Sequence, residues 1–307
     1  MKTITKVAGG LALMAASTAA MATLGIASTK HNLGASGTHN HTDATTEICI
    51  FCHTPHGADQ SASAPLWNRT LSSSSVYSRY SSLGTTTFDA TEAPIGSVSI
   101  ACLSCHDGTQ AMDTVINFPG SDTNPMGPGS YTGHNGWSET NAMSTLKASD
   151  NGTTGDMIFL GTDLRNDHPV SMQYGAGGIN DSNSGTASVT LGDPDYAPTT
   201  GDGTTPGAPG SAVGRGGANN VGGSGRVNTK VLGTGTRVWW VDTGGAGQQK
   251  NDFTLFSRTD GAGSANGVNQ PYVECATCHD PHVTNSTFLR LSGGNAGSQV
   301  CLTCHTK

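Results

Sequence analysis

All eight cysteines of the 307-residue chain fall in four copies of one unit, two cysteines separated by two residues and followed by a histidine. The copies are Cys49-Ile50-Phe51-Cys52-His53, Cys102-Leu103-Ser104-Cys105-His106, Cys275-Ala276-Thr277-Cys278-His279 and Cys301-Leu302-Thr303-Cys304-His305. Two thiols on one turn can reach the two vinyl groups of one porphyrin edge, and the next imidazole can then reach the iron; this is the c-type haem attachment unit. A zinc site of paired Cys-x-x-Cys units leaves unexplained a histidine after every second cysteine. A thioredoxin-like redox pair lacks its strand–helix context. The spacing therefore predicts four covalently bound c-type haems, tethered by Cys49, Cys52, Cys102, Cys105, Cys275, Cys278, Cys301 and Cys304. His53, His106, His279 and His305 are the predicted proximal iron ligands. No cysteine is left for a disulfide.

The sixth ligands must come from seven further histidines: His31, His39, His41, His56, His134, His168 and His282. Met112 and Met172 are alternatives that would raise the potential. His56 and His282 each stand three residues after a proximal histidine, in CHTPH and CHDPH. So short a link cannot cross to the opposite face of the same ring, so either residue, if it is a ligand, must serve a neighbouring iron, no more than ~10 Å of chain away. Pro55 and Pro281 stiffen that link. The alternative is a surface imidazole hydrogen-bonded to a haem propionate. In Arg165-Asn166-Asp167-His168-Pro169-Val170, Asp167 can orient His168. His31 sits in His31-Asn32-Leu33-Gly34. His39, His41 and His134 have Gly, Asn and Thr neighbours and read as exposed loop residues.

The elements that must position these residues are sparse. Hydrophobic residues make up 34% and aromatics 6%, too little for large conventional cores, while 12% charged is too few for a typical disordered chain. Porphyrin plates would supply the missing apolar core. The predicted fold is that of a multihaem cytochrome c: mostly irregular coil, a few short helices and minor β-strands, organised around the haems. CIFCHTPH echoes CATCHDPH and CLSCH echoes CLTCH in the same order, and both first units precede an apolar-plus-arginine segment, Pro65-Leu66-Trp67-Asn68-Arg69 and Phe288-Leu289-Arg290. This reads as a duplicated two-unit module. Residues 1–22 read as a signal peptide, with Lys2 and Lys6 before an Ala-rich run and a second cleavage site after residue 27; an uncleaved anchor is the alternative. Residues 23–174 form the N-terminal haem-pair module and 268–307 the C-terminal one. Residues 175–267 hold more than half of the 43 glycines. They read as loop with minor β structure, Arg237-Val238-Trp239-Trp240-Val241 suggesting a small hairpin.

A net charge of −7 gives no basic footprint for nucleic acid or an anionic membrane surface. His31-Asn32-Leu33, CIFCHTPH with Pro65-Leu66-Trp67-Asn68-Arg69, CLSCHDG, Asn166-Asp167-His168-Pro169-Val170 and CATCHDPH with Phe288-Leu289-Arg290 and CLTCH resemble the multihaem cytochromes of metal-reducing bacteria. They are most similar to the four-haem, OmcE-type extracellular cytochrome filament (nanowire) family. The resemblance covers both ends and His168, not residues 175–267. It implies His31, His56, His168 and His282 as distal ligands, a haem chain through each subunit, and a ligand donated between subunits, for which His31 is the candidate. The expected function is electron transfer without a catalytic residue, in an exported, extracellular protein whose partners are other cytochromes, redox partners and further copies of itself. A periplasmic shuttle, a reductase with one open iron and a haem-storage protein are the alternatives.

Overall fold

Each cysteine unit winds into one helical turn, and other described segments brace those turns. The computed structural model describes residues 25–39, 41–42, 45–86, 88, 90–110, 114–117, 133–134, 159–175, 179–180, 190–191, 196, 226–231, 237–243, 248–258, 270–285 and 287–305. The expected signal segment 1–22 and Met112 lie outside them, as does most of 175–267.

The first unit lies on a 3₁₀ turn, Cys49–Phe51, and the other three on α-helices α1 (Ser99–His106), α2 (Cys275–Cys278) and α3 (Gln299–Cys304). In three units the histidine N–H donates to the first cysteine's carbonyl: His53 to Cys49 at 2.8 Å, His279 to Cys275 at 3.0 Å and His305 to Cys301 at 2.9 Å. The i to i−4 bond sets the histidine one turn beyond the first thiol.

The β content exceeds the expected hairpin. Two-residue strands β1 (His41–Thr42) and β2 (Gly133–His134) pair, as do β4 (Ile179–Asn180) and β5 (Thr190–Leu191). The main sheet is five-stranded and antiparallel, in the order β3 (Met172–Gln173), β9 (Gln270–Val273), β8 (Phe253–Arg258), β7 (Arg237–Asp242), β6 (Arg226–Val231). It draws strands from both sides of the residue 175–267 segment. Period-2 alternation in RVWWVD sends Trp239 and Val241 to one face and Trp240 to the other. The register aligns Val227 with Val241 and Phe253, and Trp239 with Leu255, so these five residues form one buried apolar face. Tyr174 and Leu291 join that core, and Cys278, Val300 and Cys304 pack against it. The sheet is thus the bed on which α2 and α3 rest.

A second core, Tyr77, Ile95, Leu103, Leu164 and Val170, lies under α1 and touches Cys275. The two halves are clamped by a buried ion pair. Arg258 of β8 donates to Glu274 at 2.9 Å and to Ser171 at 2.9 Å; Ser99 of α1 donates to Glu274 and accepts the Cys275 N–H at 2.9 Å. Glu274 is 1% exposed. Burial pushes its carboxyl up from the ordinary range, against the pull of Arg258.

The proposed duplication has a structural counterpart. Thr54 N–H donates to Leu66 O (2.9 Å) and Asp280 N–H to Phe288 O (2.8 Å). Asn68 N–H donates to Cys52 O (2.9 Å) and Arg290 N–H to Cys278 O (2.8 Å). Leu66 and Phe288 both take the left-handed conformation at φ 56°. This register equates Asn68 with Arg290, one residue away from aligning the two arginines.

Candidate haem centres

The loop that follows each first unit fixes its histidine. His53 Nδ1 lies 2.7 Å from Pro65 O and His279 Nδ1 lies 2.9 Å from Thr287 O. A carbonyl can only accept, so Nδ1 carries the proton and the Nε2 lone pair is left for a metal. His282 is held likewise, Nδ1 donating to Asp280 Oδ1 at 3.2 Å.

Three of the four proximal histidines face a second histidine. His31 and His106 have ring centroids 6.2 Å apart, His53 and His282 6.2 Å, and His168 and His279 5.9 Å. Rings in direct contact lie nearer: His31 stacks on Phe288 at 4.3 Å. Two metal–imidazole bonds of ~2 Å plus the ring radii put two axial ligands of one iron roughly 6 Å apart between centroids. The residues present therefore fit the haem that the cysteine units imply. Trp67, edge-on to His53 at 6.0 Å, buries Nε1 without an acceptor among the described residues, and a haem carboxylate is such an acceptor.

The electrostatics agree. His31 is pushed down to about 4, by burial first and then by His106, His282 and His279. His279 is lowered too, chiefly by burial. Both imidazoles are held neutral, as a metal ligand must be. All eight cysteines are unbridged thiols. Burial raises Cys52 to about 12 and Cys278 to about 11. These are the opposite of a nucleophilic thiolate, and neutral sulfur in apolar surroundings suits a thioether. A hydrogen bond from Cys102 to Cys275 raises the first thiol and lowers the second, so the two modules meet sulfur to sulfur. Among the described residues no cluster of three or more Cys, His, Asp or Glu side chains could hold a bare metal ion.

His56 and His305 are exposed and stand apart from these pairs. His305 meets Tyr196, ring centroids 4.5 Å apart, rather than an imidazole. His31, half-buried, stacks on Phe288 and faces His106, both residues of its own chain. His41 is 8% exposed, not a loop residue in solvent, and its Nδ1 contacts His39 O at 2.6 Å. The His134 side chain lies outside the described residues. Met172 pairs with Val273 in the sheet. Tyr196, Ser99, Arg258 and Glu274 escaped sequence reasoning. Glu274 stands directly before Cys275 and Ser99 three residues before Cys102, whereas Tyr196 and Arg258 lie far from any motif.

No curated protein matches the chain. Residues 269–307 match the family described as the doubled CXXCH motif. That span contains the units Cys275–His279 and Cys301–His305, and it supports a multihaem c-type cytochrome acting in electron transfer.

Proposed function

We propose that the chain is an exported tetrahaem cytochrome that carries electrons outward by haem-to-haem hopping and polymerises into extracellular filaments. Cys49, Cys52 and His53 would hold the first haem with His282; Cys102, Cys105 and His106 the second with His31. Cys275, Cys278 and His279 would hold the third with His168, and Cys301, Cys304 and His305 the fourth. Haem supplies a one-electron couple, and bis-histidine ligation favours low potentials. The observation that carries the reading is the set of three facing imidazole pairs, each joining a cysteine unit to a histidine from a remote segment. Burial holds His31 and His279 neutral, and hydrogen bonds fix the tautomers of His53, His279 and His282.

The filament part of the reading is supported by His56 and His305, an exposed candidate ligand and an exposed proximal histidine in one chain. In a filament His56 of one subunit takes the place across from His305 of the next, replacing His31 as the ligand that crosses. Electron micrographs of the purified protein, with a haem count, test this. Filaments with four six-coordinate haems per chain are expected, and discrete particles in the His56→Ala variant. Filaments that persist in His56→Ala with all haems six-coordinate would sink the assignment, and monomers in the native protein would favour a periplasmic shuttle. The contact of His305 with Tyr196 favours one other reading, a reductase with an open fourth iron. Rapid carbon monoxide binding to one haem of the assembled protein would support it.

A further inference from the structure

Three of the four proximal histidines are each gripped by one antiparallel bridge from outside their own turn. His53 bridges Trp67, His279 bridges Leu289 and His305 bridges Tyr196. His106 is held differently, its carbonyl accepting from Leu160 N–H at 2.9 Å and Gly161 N–H at 3.3 Å. For His53 and His279 the bridge partner belongs to the short loop that follows the unit. For His305 it comes from the glycine-rich 175–267 segment, which carries no cysteine unit and lies outside the resemblance. The sequence nevertheless has Pro194 two residues before Tyr196, as Pro65 stands two before Trp67.

The Tyr196 contact is closer than its counterpart in the first unit. Its ring lies 4.5 Å from the His305 ring at 48°, against 6.0 Å and 88° for Trp67 and His53. Behind it stands Tyr174, at 5.2 Å and 75°, fully buried, with its hydroxyl directed at Cys304 O, 3.4 Å away. Tyr196 is therefore wedged between a buried tyrosine tied to the cysteine unit and the imidazole that would bind iron.

We infer that Tyr196 is the positioning residue of the His305 imidazole. The glycine-rich segment then supplies the fourth haem site with the bracket that the duplicated loops supply to the first and third. A ring against the imidazole limits its rotation, and the orientation of a ligating ring tunes the metal it binds. The inference rests on the tetrahaem reading above.

The test uses the haem-loaded full chain and its ferric low-spin electron paramagnetic resonance spectrum, with a pyridine haemochrome count. Tyr196→Ala is expected to shift one low-spin signal and leave the others in place, with four haems retained. Tyr196→Phe keeps the ring and is expected to match the wild type. With Cys301→Ser and Cys304→Ser already in place, Tyr196→Ala is expected to add no further change. An unshifted Tyr196→Ala spectrum, a Tyr196→Phe shift as large as that of Tyr196→Ala, or a shift that persists without the fourth attachment overturns the inference. Should Tyr196→Ala not yield folded protein, Tyr196→Leu replaces it, with the side chain that Leu289 offers His279. A shift of the same signal in Tyr196→Leu but not in Tyr196→Phe supports the ring's role, and no shift in either overturns it. A count below four removes the tetrahaem reading itself, whereas four haems with an unmoved signal removes only the role of Tyr196.

Discussion

His53 and His282 stand 6.2 Å apart with ring planes 17° from parallel, although they come from opposite ends of the chain. His282 follows His279 by three residues yet faces the histidine of a different unit, as the short CHDPH link requires of any ligand at that position. One imidazole thus ties the C-terminal module to the first cysteine unit. His282→Ala is expected to leave the first haem attached through Cys49 and Cys52 but to open its iron. Carbon monoxide should then bind one additional site per chain, and the visible spectrum should gain a high-spin component. Unchanged carbon monoxide stoichiometry would mean that His282 is not a ligand.

The clamp between the modules predicts a different loss. Arg258 and Glu274 are both buried, and removing one partner of such a pair leaves an uncompensated charge costing about 3–5 kcal/mol. Arg258→Met should therefore lower the denaturation midpoint of the haem-loaded protein far more than Arg258→Met combined with Glu274→Gln. Ser99→Ala removes a neutral hydroxyl that donates to Glu274 and accepts the Cys275 N–H, and should cost about 1–3 kcal/mol. Equal losses in the single and double variants would show that the pair is not coupled.

Much of the site was legible in the sequence because its chemistry is local. Two thiols and an imidazole on one turn need only adjacent residues, so the cysteine units could be read directly. The reach of a three-residue link likewise tells that His282, as a ligand, would have to serve another unit, and it faces His53. The partners were harder: His31 facing His106 depends on its stack against Phe288, a contact between distant segments with no motif. The sheet was underestimated for a related reason. RVWWVD announces a strand, but β3 and β9 are short and gain their order from the strands they border. Arg258 and Glu274 read as ordinary charges until β8 and β9 bring them together.

The duplicated loops separate backbone strain from side-chain work. Leu66 and Phe288 share φ 56°, a conformation that costs a non-glycine residue about 1–2 kcal/mol. Leu66 is 53% exposed, so Leu66→Gly trades that strain for chain entropy and should change stability by less than about 1 kcal/mol. Phe288 carries the stack on His31 at 4.3 Å, and Phe288→Gly forfeits it. The second substitution should be clearly destabilising and should perturb the spectrum of the haem that His106 would ligate. Comparable unfolding midpoints for the two variants would refute the distinction.

Trp239 and Trp240 are adjacent, equally buried and on opposite faces of β7, yet they should respond differently to substitution. Trp239 faces the core against which Cys278 and Cys304 pack. Trp239→Ala should cost about 3–5 kcal/mol and loosen the bed under the C-terminal units. Trp240 buries Nε1 with no acceptor among the described residues, and an unsatisfied buried donor costs about 1–3 kcal/mol. Trp240→Phe removes that donor along with part of the ring, so the two effects offset and the urea midpoint should move little in either direction. A loss for Trp240→Phe as large as that for Trp239→Ala would instead reveal an acceptor for the indole N–H in the haem-loaded protein, which the haem carboxylates are chemically able to provide.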